Sequence, residues 1–401
     1  MSIESTASRE KQKSTGGTHH FIPYGRQWID EEDVEAVVEA LHSDWLTTGP
    51  KVREFEKEFA CVTEAREAVA VSNGTAALHS IMYAIGISPG DEVIVPPITF
   101  VATANAVVFQ GGIPVFADVD PDTLLIDPEE VEIRITPRTK AVVAVDYAGQ
   151  PCNYDALRAI TDRHGITLIA DACHALGAQY KGEKVGALAD LTAFSFHPVK
   201  HITTGEGGMV TTNDTKLADK MRRFRNHGID SDHSQRAEMG TWYYEMADLG
   251  YNYRITDIQC ALGLSQLRKL PDRLIRRQEI AQRYNKAFSG IPGIRPLTLV
   301  PEVYHAYHLY VISYCPRGSN TSRGDLFVKL HEKGIGANIH YIPVHLHPFY
   351  QKRFGYQKGD YPKAEKAYEQ IISLPIFPHM AERDIRKVID TVSRIAEVYA
   401  A

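Results

Sequence analysis

Three short segments carry residue types that could do chemistry together. In Ala193-Phe194-Ser195-Phe196-His197-Pro198-Val199-Lys200, a lysine follows an apolar run and leads into Gly205-Glu206-Gly207-Gly208. Burial penalises the ammonium form, so a lysine between a strand and a glycine-rich loop can keep a free amine for Schiff-base chemistry. Ser195, on the strand side, could point a hydroxyl at a phosphate. In Leu168-Ile169-Ala170-Asp171-Ala172-Cys173-His174, Asp171 ends another apolar run and would be poorly solvated. A carboxylate there needs a cationic partner, and a protonated pyridine nitrogen would serve. In Val71-Ser72-Asn73-Gly74-Thr75, Gly74 lets the backbone approach a ligand. Thr75 adds an amide and a hydroxyl at the positive end of a helix, a geometry suited to phosphate.

Each segment also has a plainer reading. Lys200 could be a solvated surface charge, Asp171 a helix N-cap, and Gly74-Thr75 an ordinary strand-to-helix turn. Their combination weighs against three separate accidents.

The elements that must position these residues are visible in the hydrophobic pattern. Asp30 opens a helix with Val34, Val37, Val38 and Leu41 at helical spacing and acidic residues in its first turn. Short apolar runs then alternate with helix-length stretches from about 67 to 215: 68–71, 92–95, 114–117, 141–145, 167–170 and 191–194. That alternation predicts a largely parallel sheet with helices on both faces, and ligands at the carboxyl ends of its strands. Beyond about 256 the chain reads as helical through an arginine-rich segment to Phe288, with strand-like runs at 307–313 and 337–342. A last helix places Ile385, Val388, Ile389, Val392 and Ile395 on one face, completing the outline of a smaller α+β unit.

Composition narrows the function classes. A net charge of -6 gives no global positive field to hold nucleic acid, although a local site for a small anion is compatible with it. No apolar run is long enough to span a bilayer, and no early stretch has the core of a signal peptide. Five cysteines without close pairing fit a reduced, cytoplasmic protein. The sequons at Asn73 and Asn320 then carry no glycosylation reading. Residues 1–18, mostly Ser, Thr, Lys, Glu and Gly, read as a mobile tail. His340, His345 and His347 form an H-x4-H-x-H pattern, but no Cys or acidic ligand set accompanies it, so no metal is expected.

Four segments occur in an order that resembles the DegT/DnrJ/EryC1/StrS family of sugar aminotransferases. They are Ser72–Leu78, Asp171–Gly177, Ser195–Gly208 and Gly250–Gly263. The resemblance runs from about Ile22 to the C-terminus. It implies an α/β protein of the aspartate-aminotransferase fold (pyridoxal-phosphate fold type I). Residues 1–21 would be a flexible tail, 22–265 a large cofactor-binding domain with a mostly parallel seven-stranded sheet, and 266–401 a small C-terminal domain. It also implies pyridoxal 5'-phosphate as cofactor, with pyridoxamine 5'-phosphate in the cycle. Lys200 would join the cofactor as a Schiff base, Asp171 would pair with its ring nitrogen, and His174 would reach its phenolic oxygen. Phe100 would stack on the ring, while Gly74, Thr75 and Ser195 hold the phosphate.

Arg254 matches a position that reaches the partner's phosphate in a homodimer with shared sites. Tyr307, His308, His340 and Tyr341 fall where the family meets substrate, although strand packing explains Tyr307 and His308 equally well. The implied reaction moves an amino group from L-glutamate to C4 of a nucleotide-linked 4-keto-6-deoxy sugar. The segments 195–200 and 340–350 are nearest to the branch that serves pseudaminic acid synthesis on a UDP-linked sugar. Arg254 departs from that branch, which often has Asn there, so GDP- or dTDP-linked sugars stay open. A sugar dehydratase of the same family would replace the lysine by histidine, and Lys200 argues against it. A non-enzymatic cofactor-binding regulator would not need the full set of cofactor residues.

Overall fold

The computed structural model describes residues 20–231, 236, 239–316 and 322–400. The expected tail therefore lies outside the described residues up to residue 19, as does the sequon at Asn320. Among the described residues, nine strands precede the arginine-rich helix: β1 Glu67–Val71, β2 Glu92–Val95, β3 Ile113–Phe116, β4 Thr139–Val145, β5 Thr167–Asp171, β6 Gln179–Tyr180, β7 Glu183–Lys184, β8 Leu191–Ser195 and β9 Gly208–Thr212. Four follow it: β10 Ile294–Pro296, β11 Val303–Tyr304, β12 Tyr310–Tyr314 and β13 Ile371–Leu374.

Seven of them form one sheet in the order β1-β9-β8-β5-β4-β2-β3. All neighbours from β8 to β3 are parallel, and β9 alone runs against both β8 and β1. The strand β9 has no counterpart among the expected apolar runs. Its sequence, Gly-Met-Val-Thr-Thr, is fully buried, but two threonines and a glycine mask that burial in a hydropathy reading. The sheet is buried on both faces because helices cover each side, as continuous Val/Ile/Leu runs require. Each fully buried aliphatic side chain in it contributes about 1.5–3 kcal/mol.

The first helices are α1 Glu31–His42, α2 Pro50–Thr63, α3 Gly74–Ala84 and α4 Ala102–Phe109. Asp30 caps α1 as expected, in a reciprocal box with Asp33. The apolar stripe behaves differently from a core-facing one: Val34, Val38 and Leu41 are exposed, whereas Asp33 is fully buried. Asp33 accepts hydrogen bonds from Ser265 and Gln266 at 2.6 Å each and from Lys269 at 3.1 Å, which compensates its desolvation.

The C-terminal elements build a three-stranded antiparallel sheet, β10-β12-β13. Its core includes Ile312, Leu326, Ile372, Ile385, Val388 and Val392, joined by Ile22 from the other end of the chain. The last helix, Glu382–Ala400, supplies the expected apolar face: Ile385, Val388 and Val392 are buried, while Ile389 and Ile395 pack against the core partly buried. Two strand expectations need correction. Residues 307–309 precede β12 as a turn, with Tyr307 at φ +46°. Residues 337–342 form no strand; Asn338 makes a single bridge to Ser373, and this stretch instead lines a cavity.

Candidate active site

The parallel strands β1, β5 and β8 all end at one edge of the sheet, and the residues that follow them meet there. After β1, Asn73 caps α3, its side-chain oxygen accepting from the Ala76 amide at 2.8 Å. The amides of Gly74 and Thr75 open the helix and have no carbonyl of their own helix to bind. A Cβ on Gly74 would lie 2.9 Å from Ser195 Cβ and 3.3 Å from Cys173 Sγ, so only glycine allows the three segments to converge. Gly208 is restricted in the same way, since a Cβ there would sit 2.4 Å from the Asn73 carbonyl oxygen.

After β5, Asp171 points into the same region and is 6% exposed. One of its oxygens accepts from the Thr103 hydroxyl at 2.7 Å and the other from the Cys173 amide at 3.2 Å. Thr103 is in turn bonded to Thr99 at 2.7 Å. These threonines fix the carboxylate without neutralising it. Sequence reading missed both, because a threonine on a helix one turn beyond Phe100 carries no signal of its own.

After β8, the chain turns tightly, with the Lys200 amide donating to the His197 carbonyl at 2.9 Å. Lys200 is half-buried. Burial holds its amine below the usual lysine range, while the neighbouring Cys173 and Asp171 partly oppose that shift.

Ten of the expected residues line one cavity of about 800 Å³: Gly74, Thr75, Phe100, Asp171, His174, Ser195, Lys200, His308, His340 and Tyr341. Phe100 presents its ring at 57% exposure, 5.9 Å from that of Tyr341. His174 shares a hydrogen bond of 3.0 Å with the Tyr341 hydroxyl. His340 is bonded to Ser373 at 2.8 Å. Burial, reinforced by the Lys200 charge, pushes His174 and His308 well below the ordinary histidine range and His340 down to about 3. Burial first, then Tyr147 and Asp171, raises the Tyr341 hydroxyl far above its normal value. At neutral pH His174, His308, His340 and Tyr341 are therefore uncharged donors and acceptors beside the Lys200 amine and the Asp171 carboxylate.

Two expected residues lie elsewhere. Arg254 lines a separate hollow of about 620 Å³ and donates to Asn226 Oδ1 at 2.9 Å. Tyr307 is buried behind the wall, its ring stacked on His305 at 4.0 Å. The histidine pattern disperses as well: His345 pairs with Glu365 at 2.9 Å, away from Ser373 and His340, and His347 precedes the helix Pro348–Phe354. Conversely, Tyr24, Asn73, Glu206, Tyr253 and Asn338 join the lining without having been singled out.

The arrangement fits pyridoxal phosphate on its own terms. His174 Nδ1 and His308 Nδ1 are buried and have no hydrogen-bond partner. Asp171 offers a fixed carboxylate, and the Gly74–Thr75 amides with Ser195 form a cradle for an anion. A ring with a basic nitrogen, a polar substituent and a phosphate matches that set of donors and acceptors.

Comparison with known proteins agrees. The DegT/DnrJ/EryC1/StrS aminotransferase family model matches residues 27–393. The spore coat polysaccharide biosynthesis protein SpsC of Bacillus subtilis is 45% identical over 94% of this chain and 98% of its own. Among solved structures, the sugar aminotransferase Spr1654 of Streptococcus pneumoniae in its PMP form superposes with a TM-score of 0.89 at 33% identity, covering 94% of this chain and 100% of that one. PseC of Helicobacter pylori, an aminotransferase involved in pseudoaminic acid biosynthesis, gives 0.88 at 34% identity, with 94% and 100% covered. This chain belongs to the DegT/DnrJ/EryC1/StrS family and is a pyridoxal-phosphate-dependent sugar aminotransferase.

Proposed function

We propose that the enzyme moves an amino group from L-glutamate to C4 of a nucleotide-linked 4-keto-6-deoxy sugar, with a UDP-linked sugar of the pseudaminic acid type as first candidate. The observation that carries this reading is the single cavity in which Lys200 and Asp171 face a phosphate cradle and a wall of neutral histidines. Its volume leaves room for a sugar beside the cofactor. The likeness to PseC supports the branch, and the likeness to SpsC supports a polysaccharide sugar more broadly.

Bound pyridoxal phosphate supplies the electron sink that stabilises charge on the donor's α-carbon. Lys200 Nζ, whose ammonium form burial disfavours, takes the proton from that carbon and returns one on the other side of the transfer. Asp171, oriented by Thr103 and the Cys173 amide, holds the proton on the ring nitrogen. Gly74, Thr75 and Ser195 bind the phosphate, Phe100 covers the ring, and His174 meets the phenolic oxygen. His308, His340 and Tyr341 are assigned to the substrate side. Tyr307, behind the wall, is assigned no contact.

The active unit in this reading is a homodimer in the cytoplasm. Arg254 lies outside its own chain's cavity, so a role at a phosphate requires the cavity of a second copy. The exposed faces of Val34, Val38 and Leu41, and of Trp242, Met246 and Leu249, offer apolar surface for such a contact. No helix among the described residues is long and apolar enough to cross a membrane.

The test is a panel. Cofactor-loaded protein is given L-glutamate and UDP-, GDP- or dTDP-linked 4-keto sugars, and amino sugar and 2-oxoglutarate are measured by mass spectrometry. Amino sugar from the UDP series is expected. Its formation only from another nucleotide moves the branch, and none from any sugar overturns the reading.

A further inference from the structure

The arginine-rich helix Leu270–Phe288 contributes no residue to the active cavity, yet Arg277 on it is 1% exposed and is the bulkiest fully buried side chain among the described residues. Its partners are backbone carbonyls. Nη1 donates to Tyr307 at 2.9 Å and to Ile376 at 3.1 Å, with a longer contact of 3.4 Å to His308, and Nε has no partner. A guanidinium buried among carbonyls is costly, and a neutral side chain would fill the same volume. The charge therefore calls for a role beyond packing.

The segment it grips is constrained from every side. The Ala306 amide donates to Gly149 and the Leu309 amide to Ala148, at 2.8 and 3.1 Å. The Ala306 carbonyl is bonded to His201 Nε2 at 3.0 Å. Between these anchors Tyr307 adopts φ +46°, a conformation unfavourable for a side chain of its size. The turn presents His308 to the cavity with its ring 4.3 Å from that of His174.

We propose that Arg277 is a positioning residue for the transamination: it fixes the turn at 306–308 so that His308 stays seated against His174 in the cavity wall. This rests on the assignment of His174 to the cofactor. His308 faces Lys200, His174, His201 and Arg277; His174 faces Lys200, His340, His201, Tyr147 and the Tyr341 hydroxyl. Asp171, Cys173 and Glu206 line the same cavity. Burial and Lys200 do most to keep His308 unprotonated, and Arg277 adds to them. Removing the Arg277 charge lets His308 take a proton at higher pH.

The experiment uses the cofactor-loaded full chain with Arg277→Met and Arg277→Lys, each alone and combined with His308→Gln. Three quantities are read: the melting temperature, the pH titration of the cofactor's visible absorbance, and the rate at which L-glutamate changes that absorbance. Arg277→Met should slow the glutamate step roughly 10-fold and move its acid limb to higher pH, with KM for glutamate changed less than about 2-fold. Arg277→Lys should restore the acid limb but only part of the rate. In the His308→Gln background, Arg277→Met should add less than about 2-fold. Effects that multiply fully, with an unmoved acid limb, would show a merely structural arginine and overturn the proposal. If Arg277→Met does not fold, Arg277→Lys decides alone, and a wild-type rate there overturns it. Failure of wild type to respond to L-glutamate would instead overturn the donor assignment. The absorbance titration, which needs no donor, would still decide on Arg277.

Discussion

The active cavity and the hollow that holds Arg254 are close in sequence and opposite in character. The cavity has one lysine, two carboxylates (Asp171 and Glu206) and three histidines, His174, His308 and His340, that burial keeps neutral. The hollow gathers Lys216, Lys220, Arg222, Arg223, Arg225 and Arg254 against Asp219 and Asp230. A single extended segment divides them: Tyr253 lines the cavity, and the next residue, Arg254, lines the hollow. The comparison teaches that reactivity here comes from desolvating a few groups, whereas the hollow gathers charge at its surface and pairs part of it. Arg222 is tied to Glu67 and Asp219, and Arg225 to Glu56, so their charges are partly spent on the fold.

The largest effect should come from Lys200→Ala, which removes both the amine that joins the cofactor and the base that moves the proton. Turnover should fall by about 10⁴-fold or more while the protein still binds cofactor through its phosphate and ring contacts. Sustained turnover, followed as 2-oxoglutarate release, would break the contrast by showing that the desolvated amine is dispensable.

Asp171→Asn keeps the shape and removes the charge. The amide can still accept from Thr103 but cannot keep a ring nitrogen protonated, so kcat should drop on the order of 10²-fold with the cofactor retained. Near-normal kcat would reduce Asp171 to a structural carboxylate that accepts from Thr103 and the Cys173 amide.

A pH experiment sharpens the dividing wall. His79 supports it from α3, bonded to the Tyr253 hydroxyl at 3.0 Å and to Gln110 at 2.8 Å, and burial lowers its pKa to about 4. The folded state thus prefers neutral His79. Its contribution is fully present above the unfolded value near 6.5 and is lost as pH falls towards and through 4, about 2 kcal/mol between pH 7 and pH 5. Melting temperatures of wild type and His79→Gln should therefore converge on acidification. A gap that stays constant from pH 7 to pH 5 would contradict the burial argument.

Arg254→Ala should have the smallest effect, about a tenfold weaker retention of cofactor, as one charge-assisted hydrogen bond is lost, with the monomer fold unchanged. Equilibrium dialysis of cofactor against both proteins, with sedimentation to read the assembly state, measures it. Unchanged retention, or an active monomer, would separate the hollow from the site altogether.

The sequence by itself determined six strands of the large sheet, β1 to β5 and β8, and the residue types at their ends. Runs such as Leu168-Ile169-Ala170 can satisfy their hydrophobicity only inside a covered parallel sheet, and that forces Asp171 and Ser195 to one edge. The Asp30 cap was equally legible, because capping is a local hydrogen bond. Tertiary structure decided everything that depends on distant partners. Spacing gave α1 an apolar stripe, yet the buried side carries Asp33, since Ser265, Gln266 and Lys269 happen to converge on it. It also sent Arg254 away from Lys200, turned residues 337–342 from a strand into cavity wall, and brought Thr103 and Arg277 to support side chains far along the chain. A local sequence records which groups a segment carries. Which of them lose their water, and to what neighbours, is set only when the sheet edge, the 305–308 turn and the C-terminal layer close on one another.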